Sequence, residues 1–215
     1  MEYYQPPAIG VTHLSILLEI ACGSISDAII ASTGADRLEL CSALELGGLT
    51  PSVGTALEVD EAVMVPFVVM IRPRAGDFVW TADELAVMER DAGLLLDAGA
   101  QGIVFGCLTK DRDVDVAACR RLIDVAGHAE TVFHRGFDEA RASFQALDTL
   151  MDLGITRVLT SGGAPTALEG VGRIRALVER AAGRIEILPG GGIREHNVEA
   201  VVRQTGCVAV HLSRR

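Results

Sequence analysis

The residues best able to do chemistry sit where apolar runs break off. Thr131-Val132-Phe133-His134-Arg135-Gly136-Phe137-Asp138 opens as a β-branched strand and ends in a histidine, an arginine and an aspartate around a glycine. Other apolar runs end in Glu19 and Cys22, in Glu39 and Cys41, in Arg72 and Arg74, in Ser161-Gly162-Gly163, in Gly190-Gly191-Gly192 with Arg194, and in His211 with Ser213. His134 has the intrinsic pKa best suited to acid–base work at neutral pH. Glu19, Glu39 or Asp138 would orient it, so Glu19, His134 and Asp138 form the expected catalytic set. Arg72, Arg74 and Arg194, with the backbone N–H groups of glycine runs near helix N-termini, suit a phosphate or carboxylate. Glu39, Arg72, Arg74, Arg135, Ser161, Gly162, Gly191, Gly192 and His211 are the expected substrate-binding residues. The same glycines also suit tight turns that need positive φ, and the same charges suit an ion-pair network that closes the fold.

Cys22 and Cys41 end the first two strands. Neighbouring strands lie about 4.8 Å apart, so two thiols there can share a soft ion such as Cu(I) or Zn²⁺. Two ordinary buried thiols would look the same. The sequence has no Gly-x-Ser-x-Gly elbow and no His-Glu-x-x-His pair, which disfavours an elbow-type serine hydrolase or a zincin. Lys110 falls in a loop, which disfavours Schiff-base chemistry at a strand end.

The elements that must position these residues alternate regularly. Expected strands are 14–20, 37–41, 67–71, 102–105, 131–134, 157–160, 185–188 and 208–212. Helices are expected between them, with Ser24 or Ser26, Ser52 and Thr81 as N-caps for the first three. The sixth helix is expected over about 166–181. Eight alternations imply a parallel sheet closed into a (β/α)8 barrel of the TIM type. Residues 14–215 form this single domain, and residues 1–13, with Pro6-Pro7, form an arm. The chain stops two residues after Ser213, so the barrel is expected to lack its eighth helix.

A weak repeat supports closure. Gly34, Gly99, Gly154 and Gly206 each precede an even-numbered strand. One parity of those strands is apolar: Leu38, Leu40, Ile103, Phe105, Val158, Val208, Val210 and Leu212. It is expected to face helices. The other parity holds Arg37, Glu39, Cys41, Gly102, Gly106, Arg157, Ser161, His211 and Ser213 and is expected to fill the barrel. Charges there must pair, and Arg37, Glu39 and Arg157 are expected to pair with one another. Glu19, Arg72 and His134 end odd strands and should share a layer, with Glu19 and Arg72 paired across the mouth.

The chain has 215 residues, 49% of them hydrophobic, with a formal net charge of −10. Acidity without a basic stripe argues against nucleic acid or an anionic membrane surface as a partner. The apolar runs are of strand length, too short to span a bilayer, and Met1 to His13 does not read as a signal peptide. Five scattered cysteines read as reduced thiols of a cytoplasmic protein.

Seven motifs together resemble the CutC family of copper homeostasis proteins. They are Leu18-Glu19-Ile20-Ala21-Cys22, Gly34-Ala35-Asp36-Arg37-Leu38-Glu39-Leu40-Cys41, Gly47-Gly48-Leu49-Thr50-Pro51-Ser52, Ile71-Arg72-Pro73-Arg74-Ala75-Gly76-Asp77-Phe78, Thr131 to Asp138, Arg157-Val158-Leu159-Thr160-Ser161-Gly162 and His211-Leu212-Ser213. The resemblance implies a TIM-like barrel, a cytosolic location and a homo-oligomer, dimer or tetramer. It also implies copper, as Cu(I), held through Cys22 and Cys41. Two functional readings follow: a Cu(I)-handling protein, and a barrel enzyme acting on a small phosphate or carboxylate substrate through His134. A scaffold with a vestigial mouth is a third.

Overall fold

The computed structural model describes residues 16–213; the expected arm, residues 1–13, lies outside them. Eight strands run in order: β1 (Leu17–Cys22), β2 (Arg37–Leu40), β3 (Phe67–Met70), β4 (Gly102–Phe105), β5 (Glu130–Phe133), β6 (Arg157–Thr160), β7 (Glu186–Pro189) and β8 (Ala209–Ser213). Seven α-helices alternate with them: α1 (Ile25–Ala31), α2 (Val53–Ala62), α3 (Ala82–Asp97), α4 (Val116–Ala126), α5 (Ser143–Asp152), α6 (Val171–Ala181) and α7 (Glu195–Thr205). Ser24, Ser52 and Thr81 cap the first three as their side-chain chemistry dictates, and Thr81 forms a capping box with Glu84. No helix follows β8 among the described residues.

All pairings between these strands are parallel, in the order β7-β6-β5-β4-β3-β2-β1-β8. A parallel bridge between Gly190 and His211 joins β7 to β8 and brings the sheet close to a complete barrel. The parity expectation holds. Leu38, Leu40, Ile103, Phe105, Val158 and Val210 sit in one large core cluster with buried residues of α2 to α7, such as Val59, Met88 and Leu122. The interior divides into two small apolar groups, one around Val68, Met70, Val104 and Val132, the other around Leu159, Leu188 and Ala209. Val208 is the exception. It precedes β8 and is 58% exposed, because no helix covers that point among the described residues.

Two boundaries differ from the sequence reading in ways that shape the mouth. β5 ends at Phe133, and His134 caps a 3-10 turn over Arg135–Glu139 by accepting the Gly136 N–H on its Nδ1 at 3.0 Å. The sixth helix starts at Val171, not near Thr166. Gly162 and Gly170 pack so tightly that a Cβ on Gly162 would lie 2.6 Å from the Gly170 carbonyl oxygen. Residues 164–170 are thereby held as turns across the ends of β6 and β7.

Candidate functional site

The barrel centre holds a buried ionic network built by register. Glu19 is the Cα partner of Arg37 on one side and of His211 on the other. Its carboxylate accepts from Arg37 Nε at 2.5 Å and lies 2.8 Å from His211 Nδ1, with Arg157 Nη1 3.7 Å away. Arg157 also reaches Glu186 at 2.7 Å and Glu130 at 3.0 Å, and Arg37 reaches Glu186 at 3.1 Å. Burial alone would raise the Glu19 pKa, but His211, Arg37 and Arg157 outweigh it and hold the group at about 2. The expected mutual pairing of Arg37, Glu39 and Arg157 is therefore corrected: both arginines serve Glu19 and its acidic neighbours. The expected Glu19–Arg72 pair is corrected too, because Glu19 lies deeper and is already saturated.

Above the network lies a cavity of about 130 Å³, bordered by Ala21, Glu39, Met70, Phe78, His134, Arg135, Gly191 and His211 among others. Glu39 and His134 are both almost fully buried. Each keeps one polar atom with no partner among the described residues: Glu39 Oε1 and His134 Nε2. Burial, then the nearby charge of Glu19, raises the Glu39 pKa against the opposing pull of His211. Burial, then the Arg72 guanidinium, pushes His134 down to about 3. His134 is thus a neutral imidazole. Its Nδ1 accepts from Gly136, so the single proton sits on Nε2 and makes that atom a donor. The ring is clamped 4.6 Å from the Phe78 ring and rests against Gly106, where a Cβ would come within 2.2 Å of it. Only glycine permits that approach.

The remaining expected site residues fall into different roles. Arg72 spends its two terminal nitrogens on the carbonyls of Leu46, Gly48 and Gly76 and stacks on Phe78 at 5.0 Å. It braces the loops, and its charge still borders the cavity. Arg74 pairs with Glu84 and Asp77 and covers Trp80, away from the cavity lining. Asp138 fills the nest after β6: it accepts from Thr160 Oγ1, from the N–H groups of Ser161 and Gly163, from Ser161 Oγ and from Arg135 Nε. That carboxylate therefore occupies the nest expected to hold a substrate anion and does not orient His134. The N–H of Gly162 donates to Thr160 Oγ1, and Gly192 is packed against Thr166. Arg194 caps α7, and its guanidinium binds its neighbour's carbonyl. Arg135 is the cation that reaches the rim, tied to Asp138 and Ser161 beside Gly191.

The two thiols face opposite sides of the barrel wall. Cys22 lies in the helix-facing core and Cys41 in the interior group with Met70. Burial, then Asp27, pushes Cys22 up to about 12, and burial, then Glu39, raises Cys41 well above its ordinary value. As arranged, the pair does not present two thiolates to a common ion. On β1 the residue that faces the cavity is Ala21, the Cα partner of Glu39.

The CutC family pattern matches residues 16–215. The chain belongs to the CutC family. A CutC family protein of Treponema denticola is 47% identical over 200 residues, covering 93% of this chain and 81% of the relative. A human protein named copper homeostasis protein cutC homolog is 44% identical over 200 residues, covering 93% and 73%. A CutC crystal structure from Streptococcus agalactiae superposes with a TM-score of 0.88 at 33% identity, covering 93% of this chain and 99% of that one. An aldolase at 15% identity and a TM-score of 0.64 shows the barrel fold alone. CutC membership thus fixes the barrel and links the family to copper by name, while the chemistry of the mouth has to come from its residues.

Sequence reasoning missed Glu186, Glu130 and Phe78 as parts of the site. Parity along β7 was enough to place Glu186 beside the interior arginines, since Arg157 and Glu186 are Cα partners. Phe78 lies in a loop, where no periodicity announces it.

Proposed function

We propose that this CutC barrel is an acid–base catalyst acting on a small anionic substrate at its mouth. One observation carries the reading: His134, neutral with Nε2–H buried and unpartnered, and Glu39, its pKa raised and Oε1 buried and unpartnered, line one small cavity. A neutral imidazole donor beside a carboxylate is a pairing that polarises a carbonyl and removes a proton next to it. Glu39 is the base and takes the proton from carbon. His134 donates a hydrogen bond to the developing oxyanion. Arg135 at the rim and the charge of Arg72 favour a substrate carboxylate or phosphate. The cavity, about 130 Å³ and open at the mouth, suits a small molecule. The test is proton exchange: protein in D₂O with pyruvate or with dihydroxyacetone phosphate, followed by loss of the C–H signal. Loss that Glu39→Gln abolishes supports the reading, and no exchange with either compound counts against it.

The second reading is Cu(I) handling through Cys22 and Cys41. Its support is the relatives' name and the placement of Cys41 Sγ and Met70 Cε together against Gly48. It requires Cys22 to leave the helix-facing core. Chelator competition on the Cys22→Ser and Cys41→Ser variants tests it: unchanged Cu(I) affinity in both rejects the thiol site. Five free thiols support a reducing, cytoplasmic setting. The half-covered outer face of β1 and β8, with Ile30 56% exposed beside it, supports a homo-oligomer.

A further inference from the structure

We propose that His211 Nε2 and the Glu39 carboxylate at the cavity floor form a binding site for a borderline divalent transition ion of the Zn²⁺ class. This inference rests on the mouth being the functional site, but not on thiol ligation. His211 Nε2 and Glu39 Oε2 lie 3.7 Å apart, both buried. That is too long for a hydrogen bond. An ion bound at about 2.0–2.1 Å from each donor in tetrahedral geometry holds them about 3.4 Å apart, so a few tenths of an ångström of closure suffices. Glu19, Glu39 and His211 form the group of three potential ligand residues, among the described residues, whose ligand atoms all lie within 4.8 Å of one another.

Their roles separate cleanly. Glu19 is bound to His211 Nδ1 at 2.8 Å. That fixes the proton on Nδ1 in the neutral ring and leaves the Nε2 lone pair as the ligand. The Cys41 thiol donates to Glu39 Oε2 at 3.5 Å. Each ligand is thus oriented by a second partner, as in metal centres generally. The independent observation is Glu39 Oε1, a buried oxygen that has no partner among the described residues, on a carboxylate whose residue lines the cavity. With Glu39 Oε2 and His211 Nε2 as the two protein ligands, Glu39 Oε1 stays free to act as the base, and the ion's remaining positions are left to water or substrate.

The interior gathers Glu19, Glu39, Glu130 and Glu186 around Arg37 and Arg157. His211 and Glu39 both shift upward, so uptake of the ion displaces the protons they hold, and its affinity should rise with pH. The bound ion would meet the anionic substrate directly and polarise it as a Lewis acid.

The experiment is titration of EDTA-stripped, reduced protein with ZnCl₂ in a calorimeter, with no anion added, and with CoCl₂ in a spectrophotometer. Expected are one equivalent bound and cobalt d–d bands without a thiolate charge-transfer band. Affinity should fall at least tenfold in His211→Asn and in Glu39→Gln, and stay unchanged in Cys22→Ser and in Glu89→Gln, a surface carboxylate paired with Arg121. The proposal is overturned by no uptake at millimolar metal, by uptake equal to wild type in Glu39→Gln, or by a cobalt–thiolate band. The cobalt spectrum needs no variant, so it decides even if His211→Asn does not fold. Zinc uptake without proton exchange on carbon would sink the catalytic reading and leave the ion site standing. The reverse outcome would do the opposite.

Discussion

Glu19 and Arg37 are register partners on β1 and β2, and their side chains close a buried ion pair at 2.5 Å in the barrel centre. Parallel pairing of two strands thus puts opposite charges side by side where neither could stand alone. Arg157 and His211 complete the shell around the same carboxylate. Removing one partner leaves an uncompensated buried charge, which typically costs about 3–5 kcal/mol. Arg37→Met is expected to destabilise by about that amount in denaturant melts, and adding Glu19→Gln to recover part of the loss. Additive losses would contradict the pairing.

Acid should unfold this protein partly through His134. Its folded pKa, about 3, lies below the ordinary 6.5 because of burial and then Arg72. Between those values the unfolded chain binds a proton that the folded one refuses, so stability is lost as pH falls from 6.5 toward 3. Glu19, held at about 2, adds a loss in the same direction below 4.5. Glu39 and His211 shift upward and act in the opposite sense. Replacing His134 with Phe removes its contribution. The melting midpoint of that variant should fall less than wild type between pH 6.5 and 4.5. An identical slope would show that His134 titrates normally.

Arg72 is a brace more than a ligand. Arg72→Lys keeps the charge but loses the planar fork that reaches the Leu46, Gly48 and Gly76 carbonyls. Unsatisfied buried carbonyls cost about 1–3 kcal/mol, so a loss in that range is expected in thermal melts. A variant as stable as wild type would show the bracing to be unimportant.

Two residues of one expected face should behave differently. Leu38 is fully buried between sheet and helices, and Leu38→Ala should cost about 2–5 kcal/mol. Val208, 58% exposed, should tolerate Ala within about 0.5 kcal/mol. Equal effects would mean that the outer face of β8 is covered after all.

The barrel was legible because period-two patterning on Leu38 and Ile103, with helix caps such as Ser52 and Thr81, depends only on neighbours along the chain. Polar residues at strand ends were legible as a mouth for the same reason. Their pairing was not. Glu19 was expected to meet Arg72, but strand register ties it to Arg37 and His211 instead. Asp138 was expected beside His134, yet the turn over Arg135–Glu139 swings it onto β6. Cys22 and Cys41 both follow apolar runs, but Cys22 is one residue past the cavity-facing Ala21, and a single step along a strand reverses the face. Such choices depend on long-range register and loop geometry, which one sequence does not display.

The central claim is that the His134–Glu39 cavity binds a small anion, and thermal midpoints measure this most directly. Wild type, His134→Phe and Glu39→Gln are melted with phosphate, sulfate, pyruvate or citrate over a range of concentrations. The account predicts a concentration-dependent rise in midpoint for wild type with at least one of these, reduced or lost in both variants. No rise with any of them, or the same rise in all three proteins, would contradict it.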